Sequence, residues 1–352
     1  MKKDLKYNII KVRTSSMYKN KIKRGKRYMK KVETKQEDNF TKLTHKRGIS
    51  LIVLIVTIIV IIIIILAAAV ILTITKNNPV SSAKEVDGVP IPIGFTYKEG
   101  TKDTGLVIKD DNDNEFVWVP ATESTYVKDT SFPGDKPTGD DTLPKDITDE
   151  VADIVKYGGF YIGRYEAGVP ENQSSIDGKS SNTSNVKGVP VSKKGAIVWT
   201  NIDYTNSKAS AESMINNEYI QTGLLTGKSW DTTCNWIKDS LKSINASASL
   251  TNSRYYGNYN NSLAPANESS GTKRTAGFSE NWKVKNIYDL AGNVWEWTSE
   301  AYSSAFIYRG GSYHIGGSYV YGGNDYPVSY RSDHDAFRAY DDMGFRLRLY
   351  IK

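Results

Sequence analysis

Hydrophobic and polar positions divide this chain into three zones. From Ile49 to Ile74 the residues are apolar almost without a break, interrupted only by Ser50, Thr57 and Thr73. As a helix that run is about 39 Å long, enough to cross a hydrocarbon core of about 30 Å with some tilt. A buried core helix would be shorter and broken by polar positions, and a secretory signal would have an apolar core about half as long. The pattern therefore predicts a transmembrane helix over 49–75. Residues 76–94 are polar, with Pro and Gly, and read as a linker.

From Phe95 onward the pattern changes to short alternating stretches between turn residues. G-L-V-I-K-D-D-N-D-N-E-F-V-W-V-P (105–120) predicts a hairpin around an Asp/Asn turn, and 158–168 a strand with Phe160, Ile162 and Tyr165 facing inward. Two stretches have helical spacing. They are Lys208–Asn217 and Ser229–Lys242, the second with Trp230, Cys234, Trp236 and Ile237 near one face and Ser229 or Asp231 as its cap. Polar runs near 131–150, 171–186 and 243–273 read as surface loops. Long loops around few regular elements define an α+β domain over 95–352.

Charge changes this picture in one respect. Residues 1–48 carry 17 Lys/Arg against 4 Asp/Glu, whereas the remainder carries 29 against 35. The basic character belongs to the tail, and the mildly acidic body lacks the basic face that nucleic acid requires. Lys42, Lys46 and Arg47 abut the start of the apolar run and Lys76 alone its end. The positive-inside bias then makes the tail cytoplasmic and the domain extracellular. A single cysteine, Cys234, rules out an internal disulfide and suits a bacterial cell surface.

Three resemblances follow from particular residues. Arg47-Gly48-Ile49-Ser50-Leu51-Ile52 before a long aliphatic helix resembles the processing site of type IV prepilin-like proteins, cut after Gly48, although Val53 stands where that family usually has Glu. N-I-Y-D-L-A-G-N-V-W-E-W-T (286–298), Y-R-G-G-S-Y (308–313) and G-F-R-L-R-L (344–349) resemble the formylglycine-generating-enzyme (sulfatase-modifying factor) family, whose fold is a variant of the C-type lectin fold. F-Y-I-G-R-Y-E-A (160–167) and the stretch 223–236 match it more weakly. The resemblance implies Ca²⁺ at the 286–298 turn, held by the Asp289 and Glu296 side chains and the Gly292 and Val294 carbonyls. On chemistry alone, carboxylates beside backbone carbonyls suit Ca²⁺, or else they cap the turn without metal. The family's oxidase uses two copper-binding cysteines, and Ile315 and Val320 stand at those positions. No copper and no catalytic residue are expected, and two histidines beyond the tail, His314 and His334, cannot form a three-His site.

The C-terminal stretch carries the candidate binding chemistry. Nine of the 23 tyrosines lie between Tyr302 and Tyr350, among Asn, Ser, Asp, His and paired glycines. Tyr supplies stiff contact area with a polar tip, and the small polar residues supply adaptable hydrogen bonds. The candidate ligand-binding residues are Tyr313, His314, Tyr319, Tyr321, Asn324, Asp325, Tyr330, Asp333 and His334. Positions 313–342 also resemble the variable segment of lectin-fold proteins diversified by retroelements, with a palette of Asn, Tyr, Ser, Asp, His and Ile. An ordinary Tyr-rich β surface is the alternative. Arg309, Arg331, Arg338 and Arg346 are expected to brace the frame through carboxylate pairs. The resulting reading is a surface-anchored, non-catalytic, lectin-like protein for a protein or glycan ligand. An altered enzyme of the same fold and a pilin-like subunit are the alternatives.

The charge split generates a topological test. Protease added to intact cells should digest the chain beyond about Lys76 and leave the basic tail protected. Surface labelling of a tag inserted at residue 10 would overturn that orientation.

Overall fold

The structure is a computed structural model that describes residues 30–31, 33–37, 51–76, 80–170, 188–263, 271–319 and 325–352. It comprises two compact units, the first ending at Lys76 and the second running from Asn77 to Lys352. In the first, Leu51–Lys76 forms one 26-residue helix, α1. Its side chains are described from Val53 to Ile65. Among the described residues no helix is long and apolar enough to cross a membrane. The transmembrane expectation for 49–75 reaches beyond that stretch on both sides. The Gly48–Ile49–Ser50 junction lies outside the described residues, as do most of the basic tail and the whole of 171–186.

The second unit opens with a correction. Residues expected to be linker form a hairpin, β1 (Val80–Val86) paired antiparallel with β2 (Val89–Pro92). Val89 and Ile91 are buried in the main core, so burial of apolar side chains outweighs the polar, Pro-bearing composition on which the linker reading rested.

A six-stranded sheet follows, built from β3 (Phe95–Glu99), β4 (Val107–Asp110), β5 (Glu115–Pro120), β7 (Gly159–Gly163), β8 (Ile220–Leu224) and β15 (Leu347–Ile351), in the order β3-β4-β5-β7-β15-β8. The expected 105–120 hairpin is β4–β5, and Asp110 Oδ1 holds its turn by accepting from the backbone N–H of Asn112 and Asn114. Side chains alternate across the sheet with a period of two. Phe116 and Trp118 enter one core while Val117 and Val119 enter the other. On β15, Leu347, Leu349 and Ile351 join the first core, and the intervening Arg348 donates to Glu150 Oε2 at 2.7 Å.

A second sheet holds the candidate site. It consists of β6 (Asp140–Asp141), β11 (Trp295–Tyr302), β12 (Ala305–Arg309), β13 (Ser332–Asp335) and β14 (Met343–Phe345). The path is β13-β12-β11-β14, with β6 also on β11 and β14 parallel to it. A small pair, β9 (Lys283–Val284) and β10 (Ile287–Tyr288), stands just before β11.

Helices depart from expectation at their ends. Glu150–Tyr157 (α2) was not foreseen; Asp149 caps it by accepting from Val151 N and Ala152 N, within a run read as loop. Tyr204–Met214 (α3) starts four residues before the expected helix, because Asp203 caps it. Gly227–Ile237 (α4) is capped by Thr226, which exchanges hydrogen bonds with Ser229. Ser229 is therefore the reciprocal partner of the cap, and Asp231 has a different task.

Asp231 lies fully buried within α4 and joins it to the second sheet. Its Oδ1 accepts from Arg309 NH2 at 2.5 Å and its Oδ2 from Arg331 NH2 at 3.0 Å. Glu300 on β11 stands 3.5 Å from Arg331 and 3.8 Å from Arg309. The bracing expected of Arg309, Arg331 and Arg346 is present. Arg338 is exposed, lies over the Phe337 ring and has no ion pair among the described residues, so it braces nothing.

Removing the shared carboxylate would leave two buried guanidinium groups with Glu300 as their one remaining carboxylate in the ion-pair network among the described residues. Asp231→Ala should lower unfolding free energy by about 3–5 kcal/mol in chemical denaturation. Tyr319→Ser, at an exposed position, should change it by less than about 0.5 kcal/mol. Equal effects would remove the frame from its central place.

Candidate functional site: a buried carboxylate turn and an aromatic face

The 286–298 segment is a sequence of left-handed turns. Asp289, Gly292 and Asn293 have φ of 53°, 75° and 60°. A Cβ on Gly292 would stand 2.3 Å from the Asn258 carbonyl oxygen, so close approach as well as φ selects glycine. Beneath the turn three carboxylates surround one guanidinium. Both oxygens of Glu296 accept from Arg346, at 2.6–3.1 Å. Glu166 accepts from Asn293 Nδ2 and from Val294 N. Asp289 Oδ2 accepts from Gly277 N at 2.6 Å, whereas its buried Oδ1 has no hydrogen-bond partner.

Burial pushes the carboxyl groups of Glu166, Asp289 and Glu296 up, Asp289 to about 7, against the opposing pull of Arg346. One guanidinium cannot neutralise three carboxylates, and burial of the remaining charge favours their protonated forms. The orphaned Asp289 oxygen and the excess negative charge fit Ca²⁺. Glu296 would have to share an oxygen with Arg346. Among the described residues no group of three or more His, Cys, Asp or Glu is arranged to hold a metal, and the Ca²⁺ expectation would also need the carbonyls of Gly292 and Val294.

The C-terminal segment folds against this turn. Gly311 turns the chain there, at φ 77° with its Cα 

facing Tyr326 O so closely that a Cβ would lie 2.3 Å from it. From there a track of neighbouring rings crosses the second sheet. Tyr319 approaches Tyr330 at 5.8 Å between ring centroids, and Tyr330 approaches Tyr326 at 4.7 Å. Tyr326 meets Trp295 at 5.5 Å, and Trp295 meets Tyr308 at 4.8 Å. His334 stacks on Tyr308 at 5.6 Å and reaches Tyr340 at 5.4 Å. The two ends, Tyr319 and Tyr340, are 36 % and 39 % exposed.

Beside the track, Tyr313 donates its hydroxyl to Asp341 Oδ2 at 3.3 Å, and His314 Nε2 lies 3.6 Å from Asp342 Oδ2. Burial, with Asp341 and Asp342 alongside, pushes the Tyr313 hydroxyl up to about 12, so it stays a proton donor at neutral pH. Asp333 and Asp325 are half-buried. Tyr321, Asn324 and Val320 lie outside the described residues.

Tyr330 corrects the sequence reading. It is 7 % exposed, and its hydroxyl donates to Asp135 at 2.7 Å. Its ring packs in the main core cluster because the backbone turns at Pro327 and presents it inward. The sequence reading covered Tyr326 and Tyr340 only within the 313–342 segment and missed Tyr308, Trp295 and Asp135 as neighbours of the face. Tyr326 and Tyr340 carried the same Tyr-among-polar signal as the chosen residues, whereas Asp135 lies in a distant loop that only the fold brings near.

Cys234 is buried in α4, where burial pushes its thiol up and away from the thiolate that copper ligation or nucleophilic attack needs. Ile315 packs at the edge of both large core clusters.

Residues 137–349 match the sulfatase-modifying factor enzyme 1-like domain. That is more than half of the chain, and the protein belongs to this family of formylglycine-generating-enzyme-like domains. The match begins inside the folded unit, since β3 to β5 precede it and share its six-stranded sheet. Among solved structures, the chain is similar to CarF (17 % identity, 64 % of this chain and 99 % of that one, TM-score 0.36). It is similar also to PvdO from Pseudomonas aeruginosa (14 %, 69 % and 97 %, 0.38) and to Treponema denticola variable protein 1 (15 %, 73 % and 99 %, 0.33). Curated protein sequences give no match.

The carboxylate turn sets a pH dependence whose sign separates protons from calcium. Asp289 rises from 3.8 to about 7 on folding, so its contribution is full below the unfolded value and is lost as pH rises through about 7. In chelator, the full chain should lose stability between about pH 4 and 7, and Asp289→Asn should flatten part of that loss. If Ca²⁺ binds, adding it above pH 7 should raise the wild-type melting temperature and leave Asp289→Asn unmoved. A wild-type melt indifferent to Ca²⁺ would leave the turn to protons alone.

Proposed function

We propose that this protein is a cell-surface-anchored, non-catalytic ligand-binding protein that presents its aromatic face to a protein or glycan. The continuous ring track from Tyr319 to Tyr340 carries this reading, because both ends are exposed while the middle is locked into a core. Rigid aromatic surface binds at small entropic cost. The frame beneath it is independent of the face, since Arg309 and Arg331 fasten its flanks to Asp231.

Anchoring rests on the apolar run and on α1, where Ile63, Ile64 and Ile65 are each 58–61 % exposed and so present an apolar surface that lipid would cover. The basic flank places the tail in the cytoplasm and the domain outside a bacterial cell. Asp289, with the Gly292 and Val294 carbonyls and a shared Glu296 oxygen, is the proposed Ca²⁺ site. Retroelement-type diversification is proposed for 313–342, where Tyr313, His314, Tyr319, Tyr340 and Asp341 are accessible while Tyr330 belongs to the frame.

Two measurements test the reading. With copper and dioxygen supplied, the full chain should convert no cysteine of a sulfatase-type peptide to an aldehyde; stoichiometric conversion would favour an altered enzyme. On protein and glycan arrays, signals from the wild type should fall by at least about tenfold in Tyr319→Ser/Tyr340→Ser. Its melting temperature should stay close to wild type. Signals that persist in this variant would place binding elsewhere.

A further inference from the structure

We propose that the loop between β13 and β14 is a docking knob: Phe337 enters an apolar socket on a separate partner protein, and Arg338 meets a carboxylate at the mouth of that socket. This rests on the proposed binding role of the protein and names the class of its partner. The observation behind it is an apolar loop tip that the fold does not use. Phe337 is 72 % exposed, more than any other large hydrophobic side chain among the described residues. It holds the third position of a turn, Asp335–Arg338, closed by the Arg338 N–H on the Asp335 carbonyl oxygen at 3.1 Å. Small polar residues are the usual choice in such turns, and an exposed phenylalanine there adds little apolar burial to folding. Ala339 and Tyr340 beside it are exposed as well, so the apolar surface continues along the loop.

The backbone of the tip is held in place. Tyr204 N donates to the Ala336 carbonyl oxygen at 3.1 Å and Asn201 N to that of Tyr340 at 2.8 Å, so both flanks of the loop are fastened to the segment that enters α3. Lys273 Nζ adds a bond to the Asp341 carbonyl oxygen at 2.8 Å. A ring carried on a fixed backbone loses little entropy when a partner covers it. The Arg338 guanidinium lies over the Phe337 ring, 5.5 Å from its centroid, and has no ion pair among the described residues. Aromatic residues and arginine are the side chains that protein interfaces favour. Asp335 and Asp341 are exposed on the two flanks and would repel a broadly acidic surface, which confines the partner's carboxylate to the position of Arg338. A phenyl ring on an exposed turn calls for a concave apolar partner, which a folded protein offers and a glycan chain does not.

The test uses the full chain in mild detergent on an array of purified proteins and on a glycan array. Protein signals should fall at least about tenfold in Phe337→Ser and at least about fivefold in Arg338→Glu, and should persist in Phe337→Tyr. All three variants should melt close to the wild type, because the changed side chains are exposed. Protein signals unchanged in Phe337→Ser, or signals confined to glycans, would overturn the knob. A Phe337→Ser variant that melts far below the wild type would also overturn it, since the ring would then belong to the core. A dimer in sedimentation that Phe337→Ser converts to monomer would replace the separate partner with a second copy of this chain. In each of these cases, array signals that depend on Tyr319 and Tyr340 would leave the binding face standing. Protein signals lost in Phe337→Ser but untouched by Tyr319→Ser/Tyr340→Ser would keep the knob and remove the ring track.

Discussion

Asp231 is one carboxylate held by two guanidinium groups in a place water does not reach. Arg309 ends β12, directly before the Gly310–Gly311 corner, and Arg331 stands directly before β13. The chain between them leaves the sheet and returns to it, and both ends of that excursion are clamped to the same side chain of α4. A buried pair of this kind adds little over a well-packed apolar pair, but breaking it is costly, so it acts as a constraint on register. Within the excursion Ser312, Val328, Ser329 and Tyr330 are buried, while His314 and Tyr319 are exposed.

Arg346 plays the matching part on the other side of the site. It stands between β14 and β15, donates to Glu296 on β11, and also to the carbonyl oxygens of Gly163 and Tyr288. One guanidinium thus ties together the two main sheets and the turn that precedes β11. The surrounding carboxylates outnumber it, and burial pushes their carboxyl groups up. Between these two clamps lies the Trp295–Tyr308 contact, the middle of the ring track, where aromatic packing gives both core stability and a rigid base for the exposed ends.

The single cysteine of the chain is accounted for by packing. It is in α4, packed among Trp230, Ile237 and Leu241 in the second core cluster. Apolar burial stabilises the thiol over the thiolate, so this residue suits packing.

Much of the organisation was legible in the residues themselves. The apolar run, the alternating 105–120 hairpin and three of the four bracing arginines follow from periodicity and charge, which act locally along the chain. The family could be read from a glycine-bearing turn and a G-G-S corner, because left-handed backbone restricts which residue is tolerated. Other features depended on neighbours distant in sequence. The β1–β2 hairpin looked like a linker because its composition is polar, and only the core that covers Val89 and Ile91 makes it structure. α2 is short, and its cap at Asp149 is indistinguishable from a loop aspartate until the helix packs. Tyrosine was the hardest residue to place, since its ring favours burial and its hydroxyl favours water. Tyr319 and Tyr330 look alike in sequence, yet one is exposed and the other lies in the core. Asp135 and the Pro327 turn decide between them, and both act only through the tertiary structure.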